Sequence, residues 1–261
     1  MEDLRQFKAD LVVTAGDMVN GFSSSRACWD MARSLGLPML KGNHEGYLCK
    51  LTADRQAPEW TSELYSPSRE NLKQFSIEEM ARMAQLPSCL EFKAGNGFCL
   101  THASLVSERF NSKGQITLSD YESHFSQSNA ACIVRGHDHR FVDHPGLPKQ
   151  VFSIGSVGHA RDGLQKAQYA FFDLLPDQTW QMSVRSIDYP HELALEQMLS
   201  SGLLERGGVI SQLIYYEVKH QHPLLFRFLD FYKTWPAHGE QEIRKAFYQF
   251  MGRELPDLKP V

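Results

Sequence analysis

Four short apolar runs in this chain each end on a residue that can bind a metal ion. That repetition restricts the fold more than any other feature. Residues 9–15 (ADLVVTA) lead into Gly16-Asp17, and residues 37–41 (LPMLK) lead into Gly42-Asn43-His44-Glu45. Residues 98–101 (FCLT) lead into His102, and residues 131–135 (ACIVR) into Gly136-His137-Asp138-His139. Apolar runs of this length, bounded by glycine, read as buried strands. Helical stretches between them make β-α-β units, and in open α/β sheets ligands bind beyond the carboxyl ends of the strands. A His-x-His pair alone says little, because solvent-facing loop histidines are common. The strand ends together carry Asp17, Asn43, His102, His137 and His139, which is harder to ascribe to chance.

The connecting segments support this reading. Ser23-Ser24-Ser25 offers caps for a helix that Gly36 stops. Residues 50–87 read as mostly helical, with Ser76 and Glu79 at capping-box spacing. Residues 89–92 and 98–101 flank Gly95-Asn96-Gly97, a hairpin signature. Ser119 and Glu122 are the expected cap of a helix reaching about residue 127. Beyond His139 the pattern becomes consecutive strands at 151–154, 168–174 and 180–187, the last two joined through Pro176-Asp177-Gln178. Alternating β-α units followed by a meander predict a two-sheet α/β architecture for residues 1–189. Residues 190–261 read as a helical extension: 191–200, 210–232 interrupted at Pro223, 240–251, and a polar tail. Its aromatic residues, among them Phe226, Phe228, Phe231, Tyr232 and Trp235, allow two readings: a packed helical cap, or a partner or substrate-access surface.

Composition narrows the function classes. A net charge of −4 gives no electrostatic reason to expect nucleic-acid binding. No run of apolar residues is long enough to cross a membrane, and the charged start, Glu2-Asp3-Leu4-Arg5, has no secretory apolar core. The five cysteines are odd in number and scattered, with no Cys-x-x-Cys, and read as reduced thiols in a cytoplasmic protein. The strand-end set contains only oxygen and nitrogen donors. Such a set suits manganese, iron, cobalt, nickel or zinc without thiolate ligands. Two such ions can generate hydroxide at neutral pH and clamp both oxygens of an in-line displacement at phosphorus.

In this order, Gly16-Asp17, Gly42-Asn43-His44-Glu45, Thr101-His102-Ala103 and Gly136-His137-Asp138-His139 resemble the motifs of the calcineurin-like metallophosphoesterases. Gly155-Ser156-Val157-Gly158, followed by Arg161, is similar to a segment of that family's small prokaryotic phosphodiesterase-like branch. The resemblance spans about residues 9–188. It implies a four-layer αββα sandwich and a site for two divalent metal ions. By the same resemblance, Asp17 bridges the metals, Asn43, His102 and His137 complete one of them, and His139 binds the other. His44 is the implied catalytic acid, with Glu45 as its orienter. Gly155 and Ser156 would line the substrate mouth and Arg161 would contact phosphate. The implied activity is hydrolysis of a phosphodiester or phosphomonoester in a small substrate.

The chain departs from the family at two places. The family's first motif, D-x-H, is absent ahead of Gly16-Asp17. The expectation is that Met1 is not the native start, so that a strand and two ligands are missing. One metal is then held tightly, the other weakly, and activity is impaired. A natural short form with one good metal site is the other reading of the same absence. Asn20 stands where the Ser/Thr phosphatases of the family carry aspartate, which argues against that branch. The competing functional class is a degenerate, non-catalytic member that binds one metal and acts as an interaction module.

Overall fold

Two of the four expected apolar runs become strands in the computed structural model, which describes residues 2–54, 57–112, 114–164 and 166–256. Met1 and the tail at 257–261 lie outside the described residues. In chain order the elements are α1 (Ser25–Ser34), α2 (Asn43–Ala53), α3 (Pro58–Thr61), α4 (Ser66–Leu72), α5 (Ile77–Ala84), β1 (Cys89–Phe92), β2 (Phe98–Thr101), α6 (Leu118–His124) and β3 (Cys132–Arg135). There follow β4 (Val142–Asp143), β5 (Gln150–Ser153), β6 (Ala167–Leu174), β7 (Trp180–Ile187), α7 (His191–Ser200), α8 (Leu203–Arg206), α9 (Gly208–His220), α10 (Leu225–Lys233) and α11 (Glu240–Glu254). The chain forms two compact units. One comprises residues 1–18, 29–46 and 81–189; the other comprises 19–28, 47–80 and 190–261.

The first unit is built on a mixed five-stranded sheet in the order β1-β2-β3-β5-β4. Its centre is β3, buried at all four positions. Parallel neighbours flank it on both sides: β2 with Thr101 opposite Arg135, and β5 with Arg135 opposite Ser153. A strand covered on both faces reads as an unbroken apolar run, as Cys132-Ile133-Val134 does. The antiparallel pair β6-β7 makes a separate two-stranded sheet with an eight-residue register, Ala167 opposite Ile187. Its inner aromatics meet the larger sheet edge-on. Phe98 lies 5.3 Å from Phe172 and 4.8 Å from Trp180, and Phe152 lies 5.6 Å from Phe172. On β6, Tyr169 donates to Asp3 at 2.5 Å and the Phe171 ring lies tilted 4.7 Å from that of Phe7, so the N-terminal turn covers these residues.

Two expectations about this unit need correction. Residues 9–15 and 37–41 do not form buried strands; they share one parallel bridge, Thr14 to Met39. Leu11 is 52% exposed. The bonds Thr14 N to Pro38 O and Leu40 N to Thr14 O are the whole ladder described here. Pro38 has no N–H, so the ladder cannot continue past it. Helix α6 is capped by Thr117 and Asp120 in a reciprocal capping box, not by Ser119 and Glu122. Aspartate at the third position is long enough to reach back to the cap N–H. The Ser76–Glu79 box before α5 forms as expected, with bonds of 2.8 and 3.3 Å.

The second unit is helical, with a core of Met198, Leu213, Tyr216, Phe228, Phe247 and their neighbours. Pro223 divides the expected helix into α9 and α10. The aromatics of the extension are turned inward: Phe228 is fully buried, Tyr232 nearly so, and Phe226, Phe231 and Trp235 pack against the same cluster. Phe226, Phe231 and Trp235 are partly buried, and Tyr248 is 58% exposed. No helix among the described residues is long and apolar enough to cross a membrane.

Candidate metal centre

The parallel register of β2 and β3 builds the centre. Because Thr101 pairs with Arg135, the residues that follow them leave the sheet side by side. The backbone carbonyl of His102 accepts N–H bonds from both Gly136 (2.8 Å) and His137 (2.9 Å). Asp17 arrives from the other side, after Gly16. Both residues are left-handed, at φ +88° for Gly16 and +57° for Asp17. This geometry strains an aspartate by roughly 1–2 kcal/mol. It lays the carboxylate against Gly42, where a Cβ would stand 2.0 Å from Asp17 Oδ1. Only a glycine at 42 admits this approach.

Four electron-pair donors converge. His102 Nε2 lies 3.3 Å from Asp17 Oδ2, 3.0 Å from Asn43 Oδ1 and 3.2 Å from His137 Nδ1. The other ring nitrogen, His102 Nδ1, donates to the Ala15 carbonyl at 2.7 Å. That bond turns Nε2 toward the cluster, as an outer carbonyl does for a metal-binding histidine. Groups this close need a positive charge among them, supplied by a proton on His102 or by a metal ion in its place. Asp17, His102 and His137 are near enough together to hold one metal ion, and Asn43 adds a neutral oxygen. The donor set therefore fits a divalent cation of the kind expected from the sequence.

The electrostatics separate the three histidines. Burial opposes ionisation of Asp17, but the His44 and His102 rings and its hydrogen bonds outweigh it, so the carboxyl lies well below its usual range. Burial also opposes a charge on His102, yet the Asp17 carboxylate raises it to about 9. Burial, then the charge of His102, lowers His137 to about 4. His139 is held well below its ordinary value by burial, His159 and Arg161. His137 and His139 are therefore neutral, the ligand form, whereas His102 carries a proton that a bound cation would have to displace.

His139 lies apart from this cluster, with φ +54°. Its Nδ1 bonds the His159 carbonyl at 2.8 Å. Its own carbonyl accepts the Arg161 N–H at 3.1 Å. Ser156 Oγ accepts the His159 N–H at 3.1 Å, and Gly155 leaves room for Gln168, whose Oε1 would stand 2.3 Å from a Cβ there. In this structure the segment 155–161 orients His139.

His44 opens α2 just after Asn43. Its N–H donates to Asp17 Oδ1 at 2.9 Å, its Nε2 lies 3.9 Å from Asp17 Oδ2, and its side chain is 32% exposed. Glu45 is fully buried and accepts the N–H groups of Met18 (2.7 Å), Gly42 (2.8 Å) and Asp17 (2.9 Å). It pins the two glycine turns together. Burial and the Asp17 charge raise its carboxyl to about 7 despite those donors. In the second unit, Asn20 donates to Ser68 Oγ at 2.9 Å.

A buried ion pair beneath the centre was not anticipated from the sequence. Arg135 and Asp138 are fully buried and joined directly. The guanidinium also donates to the carbonyls of Ala103 (2.6 Å) and Phe110 (2.5 Å), and Ser112 Oγ donates to Asp138 at 2.6 Å. The signal was present: an arginine closing an apolar central strand must find a partner, and Asp138 sits three residues on, between the two histidines.

His144 completes this layer. Its Nδ1 accepts the Ile116 N–H at 3.1 Å, and its Nε2 donates to Ser153 Oγ at 2.9 Å. Burial, then Arg135, lowers it to about 4. The unfolded chain binds a proton near pH 6.5 and the folded one does not. Stability from this group is therefore complete above about pH 6.5 and is lost as pH falls toward 4. The expected result is a melting temperature that declines over that interval, with part of the decline removed in His144→Asn. Equal slopes for both proteins would contradict it.

No protein-family model matches this sequence, and no curated protein does. Solved structures do. A metallophosphoesterase from Sphaerobacter thermophilus is similar over 82% of this chain and 89% of its own, with TM-score 0.61 and 20% identity. A hypothetical protein from Pyrococcus horikoshii is similar over 85% of this chain and 89% of its own, with TM-score 0.66 and 16% identity.

Proposed function

We propose that this chain, which has the fold of the metallophosphoesterases, is a metal-dependent hydrolase of small phosphate esters. The convergence of Asp17, Asn43, His102 and His137 donors carries the reading. Packing of the β6-β7 sheet on the five-stranded sheet supports an αββα layering. A divalent cation at this centre supplies Lewis acidity and neutralises phosphate charge. The protein's own groups do the rest. Asp17, Asn43, His102 and His137 hold the cation. Glu45 and the two glycine turns keep Asp17 in its strained position. His44, partly exposed beside Asp17, donates a proton from its ring to the departing oxygen. Arg161 is proposed as a phosphate contact, and His139 as ligand to a second, weaker cation. The scattered cysteines favour a cytoplasmic setting.

The test is hydrolysis of an aryl phosphodiester and an aryl phosphomonoester with manganese, cobalt, nickel or zinc, beside metal stoichiometry. Turnover that requires metal and disappears in Asp17→Ala is expected. The position of His139 outside the four-donor cluster favours one second reading, a non-catalytic one-metal member acting as an interaction module. One bound ion per chain with no metal-dependent turnover on either ester selects that reading.

A further inference from the structure

The β1-β2 hairpin brings two thiols together. In its register Cys89 faces Thr101 and Glu91 faces Cys99, so Cys89 and Cys99 lie on a diagonal of one sheet face. Their sulfurs are 3.1 Å apart. Cys99 is fully buried, and Cys89 is half-buried at the margin of the same apolar cluster, beside Phe125 and Ile133. We propose that Cys89 and Cys99 are a reversible thiol–disulfide pair that exchanges with small disulfides of the glutathione type. A disulfide is about 2.05 Å long, so closure moves these sulfurs, 3.1 Å apart, by about 1 Å.

The two thiols differ in the way stepwise exchange requires. The hydrogen bond shared by the two sulfurs lowers the Cys89 thiol below its ordinary value. The same bond, with burial, pushes Cys99 up. Cys89 is also the one solvent can reach. Its thiolate attacks a small disulfide, forms a mixed disulfide and releases one small thiolate. Cys99 then gives up its proton and attacks Cys89 Sγ, which expels the second small thiolate. One small disulfide gains two electrons and becomes two thiols, and the two cysteines lose two electrons and become joined. Glu91 offers an oxygen within 4.8 Å of both sulfurs, so a soft cation such as zinc is the competing occupant.

The experiment equilibrates the full chain in glutathione buffers of graded potential, quenches with acid, alkylates, and maps the peptides. Oxidation should remove two of the five thiols, yield a linked Cys89–Cys99 peptide, and reverse with dithiothreitol. Cys99→Ser should trap one glutathione on Cys89. A variant with Cys28, Cys49 and Cys132 all changed to serine should still lose two thiols. Five thiols that stay reduced would overturn the proposal. So would adducts confined to Cys28 or Cys49, or a mixed disulfide on Cys89 that never closes. Stoichiometric zinc that blocks oxidation would overturn it in favour of a metal site.

Discussion

Replacing Asp138 by alanine is expected to destabilise the protein by about 3–5 kcal/mol, the usual effect of removing one partner from a buried ion pair. Arg135 would then be a charged guanidinium at 0% exposure, left without its carboxylate. The double variant Arg135→Met with Asp138→Leu should recover a large part of this loss, since a buried pair and a well-packed apolar pair are often similar in stability. Recovery should be incomplete, because the Ala103 and Phe110 carbonyls lose their donors. Urea denaturation of the four proteins in the cycle measures this. A single-variant change below about 1 kcal/mol would mean that the pair is not buried as described. Asp138 also braces the turn bearing His137 and His139, so metal affinity should fall about 10–100-fold in Asp138→Ala, as for other groups that orient ligands.

His44→Ala is expected to lower kcat by about 10²–10⁴-fold with metal stoichiometry unchanged, the range for a general acid or base. The separation is possible because the two roles use different atoms. The bond that steadies Asp17 comes from the His44 backbone N–H, which alanine keeps. The ring, which alanine removes, is the exposed part. The defect should shrink for esters with acidic leaving groups such as nitrophenol, which need less protonation, and grow for alkyl esters. A uniform loss across leaving groups would make His44 a binding group. A loss of metal would make it a structural one.

Much of this site was legible as strand-end chemistry. His102 and His137 meet because two short apolar runs, at 98–101 and 132–135, pair in parallel, and both runs are visible in the sequence. The β1-β2 hairpin was legible through its glycines, and β6 and β7 through the turn residues Pro176-Asp177-Gln178 between them. The run at 9–15 misled because apolar content alone does not show how many ladder partners a segment has; Pro38 ends the ladder after one bridge. The bracing of His139 from the later segment 155–161 was also hidden. Its motif suggested backbone groups facing a ligand, and does not reveal that the His159 carbonyl meets His139 Nδ1. The inward turn of the extension's aromatics depends on helix-to-helix packing, which periodicity over the Pro223 break does not reveal.

The register of β2 and β3 also bears on how the protein reaches its working state. Asp17, Asn43, His102 and His137 are spread widely along the chain, and two of the four depend on a parallel pairing, which forms slowly because its contacts are non-local. The unfolded chain has no preformed site. During refolding, capture of a divalent ion should therefore lag behind the helical signal and coincide with closure of the central sheet. A metal-sensitive dye in a stopped-flow instrument would then serve as a clock for the last long-range step of assembly.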